Sequence, residues 1–473
     1  MEMARNSMGV ARMSAEVTGH NLANAANPSY ARQRVKIESA SSLPTTEGPQ
    51  GAGAQVQGFE QIRDSTLDKY LVTEKSLTGY YETKNQVLRQ SQVRLGQILD
   101  RQSVDSKSGS SHQTGLAERI TDLFNTFQSL TAAPTSNTER RLAAVSATEL
   151  ADRFNRAYER LDGLRQDLNS ELTDGVAEGN RLLQSISVIS QRIGASESSE
   201  TGLANELRDQ RQQWFEDLAE YTDFAYSENT DGQMTLTVGG HNFIDEDTLV
   251  DQFETTTITE NPTGEEIGMS YIKSINGSGL LNISSGKMKG LIDARDETIY
   301  ALVNKIDQVA TQMITEVNAV HITGYDLNGN NDSTLKFFDG TGAQDMAVNQ
   351  TLTDNPQRIQ ASAYANEPGD NTTAKQIANL ANKSISALGD VTFNESYGNA
   401  VAQFGQAISN VETQLEAQEA VQRLLEKQRD SVSGVSIDEE VSNLMMYQRA
   451  FQASARLITT MDKLLEDVLS LQR

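Results

Sequence analysis

Cysteine is absent from the 473 residues, and this absence removes several kinds of chemistry at once. No disulfide can form, no thiolate can act as a nucleophile, and no metal site can use a thiolate ligand. The chain can therefore move between reducing and oxidising surroundings without cross-linking, a property that many intracellular proteins share.

Proline is also scarce, with seven residues, and none lies between Pro49 and Pro134 or between Pro134 and Pro262. Because proline disrupts helix interiors, these two intervals can hold long uninterrupted helices. No run reaches the roughly 20 apolar residues that a membrane span needs. Residues 1–24 lack the basic, apolar and small-residue parts of a secretory signal. If the protein leaves the cell, we expect export without a cleaved signal peptide.

Positive charge is in short supply as well. The chain has 40 basic and 65 acidic side chains, which gives a formal net charge of -25. This charge repels nucleic acid backbones and anionic membranes. The sequence therefore predicts neither nucleic acid nor a membrane as a partner.

The residues that usually carry enzyme chemistry form no recognisable group. The four histidines are scattered, and neither a His-Glu-x-x-His pair nor a Gly-x-Ser-x-Gly elbow occurs. We therefore expect no enzyme, with no catalytic residues, no cofactor and no metal site. An acidic secreted enzyme, the alternative function, would need such a group.

One segment imitates a metal site. Oxygen-bearing side chains alternate from Asp326 to Asp332, as they do at the start of a calcium loop. Asn331 stands where the loop needs glycine, and Phe337 stands where it needs a bidentate glutamate. A turn rich in asparagine and glycine is therefore favoured, with weak calcium binding left open.

Helical periodicity fills most of the chain. Helices are predicted at 61–99, 116–130, 203–221 and 287–322, and a longer one follows the capping box of Ser136 and Glu139. After 371 the three-four spacing of apolar residues resumes. The sequence predicts a bundle domain at 61–221 with 286–429, which includes a turn-rich β segment at 324–368.

The middle of the chain alternates with period two instead. Met234, Leu236 and Val238 are separated by threonines, and Gly239-Gly240 follows as a hairpin turn. Further strands are predicted around a turn at 261–264, and the segment 222–285 is interpreted as an inserted β domain. The predicted fold class is mainly α, a long helical bundle or coiled coil of the two halves with a small β insertion.

Both ends of the chain carry apolar stripes at helical spacing. We predict terminal helical assembly segments at 1–60 and 430–473, which are frayed or disordered in the monomer because isolated helices are marginal in water. Packing of the stripes on the chain's own bundle is the alternative. The predicted subunit-interface residues are Met8, Ala11, Ala15, Leu22, Leu444, Tyr447, Phe451, Ala455, Ile458, Met461, Leu465 and Val468.

Two motifs at opposite ends resemble one family. The segment 19–33 reads GHNLANAANPSYARQ and is similar to the N-terminal signature of bacterial flagellar rod, hook and hook-associated proteins, with Asn27 and Ser29 as departures. The segments 435–441, VSIDEEV, and 447–455, YQRAFQASA, are similar to the C-terminal end of the same family. The resemblance also implies that the chain starts a few residues after the family's usual N-terminus.

Interior motifs resemble the branch of this family that joins the hook to the filament. They include SGKMKGLIDARD at 285–296 and DLNGN at 326–330. Another axial protein, namely hook protein or hook-associated protein 3, is the alternative. Hook protein would place its bulk in β domains, and hook-associated protein 3 would lack the Asp-Leu-Asn-Gly segment.

The resemblance implies a structural role outside the cell. Such proteins are exported unfolded through the flagellum, with an export chaperone on the C-terminal helix beforehand. They then assemble with copies of themselves into a ring, in which the terminal helices form a coiled-coil inner tube. Hook protein and hook-associated protein 3 are the implied neighbours.

Overall fold

Eleven α-helices account for most of the described chain. The computed structural model describes residues 2–27, 29–41, 43–45, 48–95, 115–197, 204–229, 232–259 and 268–470. The helices are α1 Glu2–Ala23, α2 Ser65–Leu95, α3 Leu116–Ala132, α4 Asn137–Glu197, α5 Asn205–Tyr221, α6 Lys287–Asp293, α7 Tyr300–His321, α8 Gln350–Asp354, α9 Thr372–Asn379, α10 Phe393–Ser433 and α11 Ile437–Ser470.

The strands are short and form small antiparallel sheets. Strands β1 and β4 pair near the start of the chain, β5 to β8 form a four-stranded sheet, and β9 pairs with β10. The strands are β1 Gln33–Ser39, β2 Leu43–Thr45, β3 Gly48–Gln50, β4 Ala54–Gln61, β5 Ala225–Glu228, β6 Met234–Val238, β7 His241–Asp245, β8 Thr248–Leu249, β9 Phe253–Thr257, β10 Ser270–Ser274, β11 Phe338–Asp339 and β12 Ala347–Val348.

The core is organised around α4, a single helix of 61 residues. One half of the predicted capping box is present, since the Glu139 amide donates to Ser136 Oγ over 3.3 Å. Its apolar face packs on α3, α5, α6 and α7. Among the described residues, the contiguous apolar core extends from Val72 to Val411 and includes no side chain of α1 or α11.

The β-insertion is joined to the side of α4 by paired polar contacts. Asn180 on α4 accepts from the Phe253 amide over 2.8 Å and donates to the Phe253 carbonyl over 2.9 Å. Gly239 and Gly240 form the predicted turn between β6 and β7, and both have positive φ angles. Strands β5 to β10 fall within the range 222–285.

The predicted fold class, mainly α with a β insertion, is confirmed. The first 60 residues differ from the prediction, because α1 ends at Ala23 and a β-hairpin of β1 and β4 follows. Val35 and Ile37 alternate with polar residues, which is a strand pattern. The helix predicted at 61–99 begins at Ser65, since Gln61 still belongs to β4.

Other predictions differ in extent or lie outside the described residues. Within the predicted turn-rich β segment at 324–368, the paired strand residues are limited to Phe338 and Asp339, which pair with Val348 and Ala347. The predicted turn at 261–264 and the helical residues 96–99 are outside the described part of the chain.

Candidate assembly site at the paired chain ends

The two terminal helices pack against each other in antiparallel orientation. Asn21 near the end of α1 contacts Glu440 near the start of α11. Ala11 and Ala15 line a groove together with Tyr447 and Phe451. The chain ends that the sequence predicts as assembly segments therefore meet within one molecule.

Small side chains on α1 allow this close approach. The buried residues of α1 recur at heptad spacing and are small or polar, namely Ala4, Ala11, Ser14, Thr18 and Asn21. The helix also lies on the hairpin of β1 and β4, where Asn6 Nδ2 donates to the Ala52 carbonyl over 2.9 Å. Helix α1 thus packs between α11 and the hairpin.

The predicted interface residues on α1 and α11 differ in how far they are exposed in the single chain. Ala11 is buried. Half-buried are Met8, Ala15, Leu22, Leu444, Tyr447, Ala455 and Ile458, of which Ala15 and Tyr447 line the groove between the two helices. Exposed are Phe451, Met461, Leu465 and Val468.

A second apolar face on α11 was predicted only in part, since Met461 and Val468 are among the predicted interface residues and its other members are not. On a helix with 3.6 residues per turn, the centre of this face lies roughly 100° around the helix axis from the side that contacts α1. Leu457 is 45% exposed and Leu464 is 58% exposed, although both are large apolar residues. The face, called the outer face below, consists of Met446, Ala450, Ala453, Leu457, Met461, Leu464 and Val468. Its heptad spacing was the available signal.

The last turns of α11 extend past α1. With Asn21 level with Glu440 and the same rise in both helices, Glu2 lies level with about residue 459. Every residue from 461 to 470 is exposed. Apolar side chains of this overhang therefore lie in water in the single chain.

A buried group of polar side chains connects the terminal helices to the rest of the molecule. We call Asn21, Tyr30, Arg32 and Glu440 the polar joint. Asn21 Nδ2 donates to Glu440 Oε2 over 3.0 Å, and Tyr30 Oη donates to Asn21 Oδ1 over 2.8 Å. Arg32 Nη2 lies 2.7 Å from Glu440 Oε1. Both ends of the chain thus meet in one polar cluster.

The joint is anchored to α5 by Asp209. Asp209 Oδ1 accepts from the Ala31 amide over 3.3 Å, from Gln61 Nε2 over 3.0 Å and from Arg63 Nη2 over 2.9 Å. Burial raises the pKa of Asp209 to about 7, although the Arg63 guanidinium acts in the opposite direction. The desolvation of the carboxylate outweighs its ion pair.

The segment that imitates a calcium loop is held by its own hydrogen bonds. Asp326 Oδ1 accepts from the amides of Asn328 and Asn330 over 2.8 and 2.9 Å. Asp332 Oδ2 instead accepts from Arg358 Nη2 over 2.9 Å. The described residues contain no group of three or more His, Asp or Glu side chains suited to a metal ion.

None of the described helices combines the length and the apolar character that crossing a bilayer requires.

Comparison with known proteins relates both the bundle and the C-terminal helix to flagellar proteins. Residues 102–338 match the family described as Flagellar hook-associated protein FlgK helical domain. Residues 427–471 match the family described as Flagellar basal body rod FlgEFG protein C-terminal. The second match covers α11 and the end of α10.

Curated relatives are similar over nearly the whole length. Flagellar hook-associated protein 1 of Bacillus subtilis is 25% identical, with 99% of this chain and 97% of the relative covered. The protein of the same description from Salmonella typhimurium is 21% identical, with 99% of each chain covered.

A solved structure supports the fold. The structure of the flagellar hook junction protein FlgK from Burkholderia pseudomallei matches with a TM-score of 0.63 and 14% identity, over 77% of this chain and 100% of that one. The helical-domain family spans half of the present sequence. The chain therefore belongs to the flagellar hook-associated protein FlgK family and is a structural component of the bacterial flagellum.

Proposed function

We propose that this protein joins the flagellar hook to the filament by assembling with copies of itself into a ring, with the α1–α11 pair as the assembling part. The observation that carries the proposal is the exposed outer face of α11, which adjoins the seam already occupied by α1. A helix with two apolar faces can pack on α1 of its own chain and on a helix of a neighbour.

The magnitude of the possible burial supports this role. Covering a large apolar side chain stabilises an assembly by roughly 1.5 to 3 kcal/mol. The outer face carries five such side chains, which are 39 to 58% exposed, so roughly 5 kcal/mol is available before the costs of association and ordering. We infer that the overhang at 461–470 is frayed in the monomer and ordered when a neighbour covers it.

The neighbours we propose are hook protein on one side and hook-associated protein 3 on the other. Before assembly, an export chaperone would cover α11, since an amphipathic helix with an exposed apolar face is a typical ligand of a hydrophobic groove. Export proceeds without a cleaved signal peptide in this proposal.

Substitutions on the outer face test the proposal. The combined variant Met446→Ser, Leu457→Ser and Leu464→Ser should unfold at the same temperature as the unaltered protein, because these side chains are exposed in the single chain. In cells that lack the native protein, the variant should fail to support filament growth and swimming.

The matched control carries serine on the polar side of the same helix, at Arg456, Lys463 and Glu466. It introduces as many serines as the test variant, and it should restore swimming. Full motility of the outer-face variant would contradict the proposal.

A further inference from the structure

Asn21 uses every hydrogen-bonding position of its side chain. Its Nδ2 group donates to the Gln33 carbonyl over 2.9 Å and to Glu440 Oε2 over 3.0 Å. Its Oδ1 atom accepts from Tyr30 Oη over 2.8 Å and from the Gln33 amide over 3.0 Å. An amide offers two donors and two acceptor sites, a set that only asparagine and glutamine side chains carry, and glutamine is one methylene longer. Asn21 thereby connects α1, β1 and α11.

Glu440 is the corresponding residue on the other helix. It is 1% exposed, and it is the one buried residue of α11 within the described chain. Besides Asn21 it contacts Arg32, which also bonds Glu439 and whose amide donates to the Ser433 carbonyl over 2.9 Å. The start of α11 is therefore held to the rest of the molecule by polar contacts.

The body of the molecule contributes its own fixed groups to this region. Asp209 on α5 accepts from the Ala31 amide, next to the joint, and Arg63 bonds both Asp209 and the Ser29 carbonyl. Arg429, in the last turns of α10, bonds Glu216 over 2.7 Å. Both sides of the joint are thus tied to α5.

We propose that Asn21 and Glu440 are positioning residues, which set the direction of the α1–α11 pair relative to the helical body. Apolar contacts are non-directional and allow sliding, whereas hydrogen bonds weaken steeply when their angle changes. The apolar core excludes α1 and α11, so directional polar contacts determine the angle of the pair. The role of this fixed angle in assembly rests on the function proposed above, because every copy in a ring must present the outer face at the same angle.

If the polar joint sets an orientation, its loss should have a different effect from the loss of a contact that only stabilises the fold. Buried polar networks contribute little net stability but can specify one geometry. Loss of the joint should therefore leave both the bundle and the α1–α11 pairing intact while the angle between them becomes variable. A simple structural role would instead loosen the helix pair itself.

Spin labels can separate these two outcomes, because the absence of cysteine leaves no background labelling. One pair of labels, at Gln184→Cys and Gln452→Cys, reports the direction of α11 relative to α4. A second pair, at Arg5→Cys and Ser442→Cys, reports the pairing of α1 with α11. All four positions are exposed. Distances within one chain are measured by pulsed electron paramagnetic resonance on dilute full-length monomer.

The unaltered protein should give a single narrow distance for each pair of labels. With Asn21→Ala or Glu440→Ala, the distance from α11 to α4 should lose its single narrow peak, while the distance within the helix pair stays narrow. Glu440→Gln still accepts from Asn21, and it should restore part of the narrow distribution. Arg34→Ala, which removes an exposed ion pair with Glu60 on the hairpin, is the matched control and should change neither distance.

Two results would overturn the proposal. One is an unchanged α11-to-α4 distance in both alanine variants, and the other is broadening of both pairs of labels together. The monomer measurement needs no assembly, so its failure is separate from failure of the outer-face experiment. Where the monomer behaves as expected, the alanine variants should also enter flagella less efficiently than Arg34→Ala.

Discussion

Asp209 shows how burial can outweigh an ion pair at a single residue. Its carboxyl group is buried beside Arg63, and its pKa is raised to about 7. In the folded chain the group thus keeps a proton at pH values where it is ionised in the unfolded chain. The contribution of Asp209 to the free energy of unfolding therefore falls as the pH rises from about 4 to about 7.

The variant Asp209→Asn should remove this pH dependence, because an amide keeps the Oδ1 acceptor and does not titrate. The loss of stability between pH 5 and pH 8, measured by urea unfolding, should be smaller in the variant than in the unaltered protein. Nearby Asp68 also has a raised pKa, so the comparison must be made between the two proteins and not from one curve. Identical pH profiles of stability in the two proteins would contradict a raised pKa at Asp209.

Gly286 has a backbone conformation that only glycine adopts readily. Its φ and ψ angles are 88° and 169°, and an added Cβ atom would lie 2.4 Å from the Thr222 amide nitrogen. We expect Gly286→Ala to lower the free energy of unfolding by about 2 kcal/mol or more. Gly398 within α10 has open space around it and is the control. Gly398→Ala should instead stabilise by about 0.5 to 1 kcal/mol, as chemical denaturation can measure.

At the scale of elements, the two apolar faces of α11 should respond differently to substitution. Phe451 lines the groove against α1, whereas Leu457 belongs to the outer face. Phe451→Ala should weaken the pairing of α1 with α11 by about 1 kcal/mol. The phenylalanine ring is only partly buried, and the substitution removes that burial. Amide exchange of α1 in the monomer should then accelerate, and Leu457→Ala should leave it unchanged. Equal effects of both substitutions would contradict the assignment of the two faces.

The long helices could be predicted from the sequence because local periodicity determines them. Helix α4 has an uninterrupted stripe and a capping serine, and α3 and α5 lie within two residues of the predicted bounds where these are described. The hairpin of β1 and β4 was missed because residues 1–60 were treated as one segment after the helical start. Its period-two signal, with Val35 and Ile37, is only one strand long.

The sequence predicts only part of the candidate site, because some of its contacts join residues that are far apart along the chain. The apolar stripe of α11 is visible in the sequence, whereas Asn21 and Glu440 are 419 positions apart and carry no local sign of contact. Apart from Met461 and Val468, the outer face was overlooked, because Ala450 and Ala453 separate Met446 from Leu457. Pairing of distant polar residues requires the three-dimensional structure.

For the whole molecule, the separation between the core and the ends is the central feature. The apolar core extends from α2 to α10, and the α1–α11 pair projects apolar side chains that this core does not cover. The pair is held to the body by polar contacts. The molecule therefore combines a packed body with terminal helices whose burial we expect neighbouring copies to complete.

Amide exchange along α11 tests this claim most directly, in the isolated chain and in assembled flagella. The account predicts fast exchange from 461 to 470 in the isolated chain, slower exchange in the bundle helices, and strong protection of 461–470 after assembly. Slow exchange of this segment in a dilute monomer, at the level of α4, would contradict the account.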